Sequence, residues 1–93
     1  MDIRHEPEPP YGAFRVYDDE GALGTMVYVR SGPTTIFVQH TEVLERGKGK
    51  GIGRALFDFM VGWARESGTK VTAQCPFTRK MFAENPEARD VLR

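Results

Sequence analysis

The chain has 93 residues, enough for one domain with a single small core. Thirteen basic side chains balance thirteen acidic ones, so net charge points to neither a nucleic acid nor a membrane as partner, and any electrostatic message is local. One cysteine rules out an internal disulfide, no apolar run approaches membrane-spanning length, and the opening MDIRHEPEPP lacks the apolar core of a secretory signal; the expectation is a soluble, cytoplasmic protein.

Residues 1–10 are acidic and proline-rich without apolar periodicity, which predicts a flexible tail ahead of one domain over residues 11–93. From Phe14 the pattern alternates. FRVYD predicts a short strand, DDEGA a turn, and LGTMVYVR a second strand with Leu23, Thr25, Val27 and Val29 on one face. Ser31-Gly32-Pro33 signals a turn and TTIFVQHTEV a third strand, so the three form an antiparallel meander. Tyr11, Tyr17 and Tyr28 lie in or near it and are expected to pack.

The period then changes. Ile52, Ala55, Leu56, Phe59, Met60 and Trp63 follow helical spacing with Arg54, Asp58, Gly62 and Arg65 opposite, and Gly68 is a natural stop. KVTAQC predicts a fourth strand with Val71, Ala73 and Cys75 on one side. Cys75-Pro76 opens a second helix carrying Phe77, Met81 and Phe82, which Asn85-Pro86 ends, and Glu87 to Leu92 forms one more turn.

Between the third strand and the first helix, Glu45 to Arg54 holds four glycines and four basic residues. A helix N-terminus carries unpaired N–H groups and partial positive charge, which suits an anion and above all a phosphate. Gly47, Gly49, Gly51 and Gly53 let backbone approach it, while Lys48, Lys50 and Arg54 add charge at the rim. The Walker pattern fails, because five residues beyond Gly47, Gly49 and Gly51 stand Ile52, Arg54 and Leu56. The dinucleotide pattern fails at Ile52 and Arg54, and it belongs to a parallel unit.

Lys48-Gly49-Lys50-Gly51-Ile52-Gly53 resembles the pyrophosphate loop of the GNAT acetyltransferases, Arg/Gln-x-x-Gly-x-Gly/Ala, with lysine in first position. HTEV, GKGIG, CPF and NPE, in this order and spacing, resemble a family of very short GNAT-like acetyltransferases over Phe14 to Leu92. The resemblance implies a pared-down GNAT fold of mixed α and β class: a three-strand meander, a central helix, a fourth strand and a C-terminal helix. It implies acetyl-CoA as cofactor, with the pyrophosphate on the amides of about Gly49 to Arg54. Val43, Lys48, Lys50 and Lys80 join that site, and Arg79 is a further candidate for the adenosine phosphates. Full-length GNAT domains place two helices between their first two strands; here only the turn Asp18 to Ala22 is expected there, so the acceptor is not legible.

Cys75 is the candidate nucleophile. Pro76 at the first helical position makes Cys75 the N-cap, beside the positive helix end that favours a thiolate. The alternative is a small buried hydrophobe. His40 is the candidate base or a structural histidine, and Glu42 is a second candidate; strand register, or a bulge, decides which faces inward. GNAT relatives often use a tyrosine on the last helix as acid, where this chain offers Met81 and Phe82. Three functions therefore stand: an acetyltransferase acting on a small-molecule or protein amine, through acetyl-Cys75 or directly; a non-catalytic acyl-CoA-binding module or sensor; and a basic-loop nucleic-acid binder, which the zero net charge and the lack of a basic stripe disfavour. No metal is expected.

Overall fold

The computed structural model describes residues 1–93. One five-stranded sheet runs in chain order: β1 (Asp2–Glu8), β2 (Tyr11–Asp18), β3 (Gly21–Gly32), β4 (Thr35–Val43) and β5 (Lys70–Ala73). The first four strands are an antiparallel meander, and β5 lies parallel to β4 after a crossover through helix α1 (Ile52–Ser67). Helix α2 (Pro76–Glu84) follows β5, and a 3₁₀ segment, Pro86–Val91, closes the chain. A short 3₁₀ turn, Glu45–Gly47, precedes α1. No helix is long and apolar enough to cross a membrane.

Both helices cover one face of the sheet, and the core lies between the two layers. Phe14, Val16, Met26, Tyr28, Ile36 and Val38 from the strands meet Ile52, Leu56, Phe57, Met60 and Phe82 from the helices. Thr25, Val27, Val29 and Phe37 stand on the other face, which carries no second layer and keeps them only half-buried.

The expected flexible tail is instead strand β1, paired with β2 from Asp2↔Tyr17 to Glu8↔Tyr11. Polar contacts do what an apolar stripe usually does. His5 stacks on Phe14 with ring centroids 4.6 Å apart and shares a 2.7 Å hydrogen bond with the Tyr28 hydroxyl. On the opposite face Glu6 accepts from Arg15 at 2.6 Å and from Tyr17 at 2.7 Å. Pro7 is tolerated because β1 is an edge strand. The meander therefore has four strands, and its first two join at Pro9-Pro10; the turn after Asp18 joins the second and third.

On β3 the inward set is Gly24, Met26 and Tyr28, not Thr25, Val27 and Val29. Leu23 is also buried, because Val16 pairs with Gly24 and Tyr17 with Ala22, leaving Leu23 as an extra residue. Gly24 admits α1 at close range: a Cβ there would lie 2.6 Å from Ile52 Cγ2. Of the three tyrosines Tyr28 is buried, Tyr17 bonds Glu6, and Tyr11 is 60% exposed.

The buried stripe of α1 is Ile52, Leu56, Phe57, Met60, Val61 and Ala64, rotated away from Phe59. The rotation follows from α2 and the 3₁₀ segment packing on that flank, where Phe57 meets Phe82 edge-to-face at 5.0 Å. Gly68 ends α1 in the left-handed conformation, as its position predicts.

Candidate functional site

The loop between β4 and α1 is shaped by its glycines in two different ways. Gly49 and Gly51 have φ of 79° and 73°, so a side chain at either would be strained. Gly47 and Gly53 are constrained by neighbours. A Cβ on Gly47 would press at 3.3 Å on Val43 and Ile52, and one on Gly53 would lie 2.9 Å from the Phe77 ring. Gly53 thus serves the packing of α1 against α2, a role that glycine spacing alone did not reveal.

The backbone N–H groups of Gly49, Gly51, Ile52, Gly53 and Arg54 have no acceptor, and the first helical bond runs from Ala55 to Gly51. No side chain caps this helix. These five free donors lie at or just before the positive end of a 16-residue helix, with no acid in its first turn. Lys48 pairs with Glu45 at 2.9 Å and Arg54 with Asp58 at 3.0 Å, both on the surface, while Lys50 and Lys80 are exposed without an ion pair. Val43 packs beneath Gly47 at the base of the loop.

Beside this loop, β4 and β5 part. Their pairing ends at Val38↔Ala73, where the Gln74 and Cys75 N–H groups both reach the Val38 carbonyl, at 2.9 and 3.2 Å. From Gln39 to Val43 the β5-facing edge of β4 has no strand beside it. Cys75 stands beside the point where the two strands part, as the N-cap of α2. Its buried sulfur accepts from the Thr78 N–H at 3.4 Å, contacts the Thr78 hydroxyl at 2.8 Å and lies 3.6 Å from the Thr41 hydroxyl.

A bulge decides what faces that sulfur. Val27 pairs with His40 and Tyr28 with Val38, so Gln39 is an extra residue and the alternation of β4 is reset. Thr41, opposite Met26, and Val43, opposite Gly24, turn toward the helices. His40, opposite Val27, and Glu42, opposite Thr25, turn to the open face and are exposed. Neither bonds Cys75; of the two expected bases, the structure brings neither to the sulfur. Thr41 and Thr78 are the residues that sequence reasoning missed. Thr78 had a legible signal, standing three residues after the cap, whereas Thr41 depended on the bulge. Arg79, the other candidate for the adenosine phosphates, donates to the Ala73 and Gln74 carbonyls on the far side of α2.

The family model described as GCN5-related N-acetyl-transferase matches residues 13–91. The chain belongs to this family. As a GCN5-related N-acetyltransferase it is an acetyltransferase, and solved structures agree with the fold. A GCN5-like protein from Staphylococcus aureus is similar at 26% identity and TM-score 0.72, over 97% of this chain and 87% of that one. A ribosomal-protein-alanine N-acetyltransferase from Brucella melitensis biovar Abortus 2308 shares the fold at 23% identity and TM-score 0.68, over 83% of this chain and 62% of its own. An aminoglycoside N-acetyltransferase in complex with CoA shares it at 13% identity and TM-score 0.56, over 87% of this chain and 68% of that one. No curated protein sequence matches the chain.

Proposed function

We propose that the protein binds acetyl-CoA across the α1 N-terminus and the cleft between β4 and β5, and transfers the acetyl group to an amine. The observation that carries this reading is the set of five N–H donors without acceptors at Gly49 and Gly51 to Arg54, which follow the stretch of β4, Gln39 to Val43, that β5 leaves unpaired. That donor set suits a pyrophosphate: several aligned N–H groups, a helix dipole and nearby lysines, with no competing carboxylate in the first turn. Lys48 leaves Glu45 for a phosphate, Lys50 and Lys80 supply further charge, and Val43 and Ile52 form the apolar base. The bound cofactor supplies an acetyl thioester.

Cys75 is the residue proposed to carry the acetyl group. Its thiolate attacks the thioester carbonyl, the new carbon–sulfur bond forms, and the coenzyme sulfur departs with the proton that Cys75 gave up. The Thr78 N–H and the hydroxyls of Thr78 and Thr41 hold the sulfur through this exchange. A neutral amine then attacks acetyl-Cys75, and the proton that it sheds returns to the sulfur. His40 and Glu42, on the open face, act on the amine by taking its proton before attack. The burial of Cys75, 4% exposed, favours a second reading in which the amine attacks the thioester directly and only His40 or Glu42 assists.

Incubation with isotopically labelled acetyl-CoA and a panel of small amines, lysine peptides and free N-terminal peptides tests both. Labelled N-acetyl product is expected with the native chain and not with Cys75→Ala. Product from Cys75→Ala would establish direct transfer. Saturable binding without product from any amine would contradict the transfer step.

A further inference from the structure

On the side of α2 away from the coenzyme loop lies a groove of about 360 Å³ between the outer edge of β5, the helix and the chain end. Its floor is apolar, formed by Ala73, Phe82, Ala83 and Leu92. Its rim carries Arg79, Arg89 and Arg93, and no acidic residue lines it. None of the three arginines belongs to an ion pair, although Arg4, Arg15, Arg46, Arg54 and Arg65 all do.

Two of the guanidinium groups are held in place by neutral partners. Arg79 donates through Nε to the Ala73 carbonyl and through Nη2 to that of Gln74. Arg89 donates in the same way to the carbonyls of Phe82 and Ala83 at the end of α2. These bonds fix the planar groups without neutralising them, and each keeps its second terminal nitrogen free. Arg93 is tied by its backbone N–H to Val71, which leaves its side chain available.

The groove is separate from the proposed coenzyme site. Phe77 faces Gly53 and the loop. At about 100° per residue, Arg79 lies about 200° around α2 from Phe77 and Ala83 about 240°, while Lys80 stays within about 60°. Three fixed or tethered cations around an apolar floor, with no acidic side chain lining the groove, match one ligand chemistry. We propose that this groove binds a small organic anion: a carboxylate or phosphate carried on an apolar body that fills the floor between Phe82 and Leu92.

Backbone amide NMR titration of the full chain, free and saturated with CoA, tests this with phenyl phosphate, benzoate and neutral benzyl alcohol. Saturable shifts at Ala73, Ala83 and Leu92 are expected with phenyl phosphate, benzoate or both, unchanged by CoA; the pair of anions separates a phosphate from a carboxylate ligand. Arg93→Ala, which keeps the backbone tie, is expected to weaken binding about fivefold, the scale of one exposed ion pair. Ala83→Glu, at an exposed helical position, places a carboxylate in the groove and should abolish binding. Equal shifts with benzyl alcohol, indifference to both variants, or shifts confined to Gly49 to Arg54 would overturn the proposal. Because the readout is residue by residue, failure of CoA to bind its own loop leaves this outcome legible.

Discussion

The Thr41 hydroxyl lies 3.6 Å from the Cys75 sulfur, across the point where β4 and β5 part. The contact exists because one extra residue, Gln39, turns Thr41 inward and sends His40 and Glu42 to the open face. It separates the neighbours: threonines contact the sulfur, and the titratable His40 and Glu42 stand exposed on the other face of the sheet.

Cys75 is both the cap of α2 and the proposed acyl carrier, and two substitutions separate these roles. Cys75→Ala removes the cap and is expected to cost about 1 kcal/mol, whereas serine caps well and Cys75→Ser should cost far less. If Cys75 carries the acetyl group as proposed, neither variant should gain the acetyl mass expected on the native chain. Thermal denaturation with intact-protein mass spectrometry reads the two effects; equal destabilisation by both variants would contradict the capping role.

The two kinds of glycine in the loop respond differently to the same methyl group. Gly53→Ala drives a Cβ against Phe77 and should destabilise by about 1–3 kcal/mol, an overpacking cost. Gly51→Ala meets no atom within 4 Å but forces a left-handed alanine, at about 1–2 kcal/mol. Phe77→Leu should rescue Gly53→Ala and leave Gly51→Ala unimproved. A double-mutant cycle by urea denaturation measures this, and equal rescue of both would refute the distinction.

The helices and the glycine loop were legible because their signals are local: 3.6-residue spacing, Gly68 as a stop, Pro76 behind a cap. The first strand was not, since its register rests on partners distant in sequence, with Glu6 reaching Arg15 and Tyr17 and His5 reaching Tyr28. The inward face of β3 was misassigned because both phases of LGTMVYVR are apolar; only the approach of Ile52 to Gly24 distinguishes them. Within the site, the glycines and lysines of the loop are written in composition. The facing of Thr41, His40 and Glu42 is written in a bulge, which a pairing partner creates.

Strand β1 also sets a pH dependence. Burial holds the His5 imidazole below its usual range, and the charge of Arg30 pushes it the same way. The unfolded chain therefore binds the proton more readily than the native one, so His5 penalises folding as pH falls. Stability should be full above the unfolded value of about 6.5 and decline below it. His5→Gln can keep a bond to Tyr28 without titrating. Melting temperatures between pH 7.5 and 5 should fall for the native chain and stay nearly level for the variant; parallel declines would remove His5 as the cause.

The account rests most heavily on the free amides at the start of α1, and titration of the nitrogen-15-labelled chain with CoA addresses them directly. Saturable shifts are expected at Gly49, Gly51, Ile52, Gly53 and Arg54, together with Cys75 beside the point where β4 and β5 part. Added salt should weaken CoA more than a pantetheine fragment without phosphates, because the loop engages charge. Saturable binding that leaves those five amides unmoved, or no binding at all, would contradict the placement of the cofactor and the transfer reaction built on it.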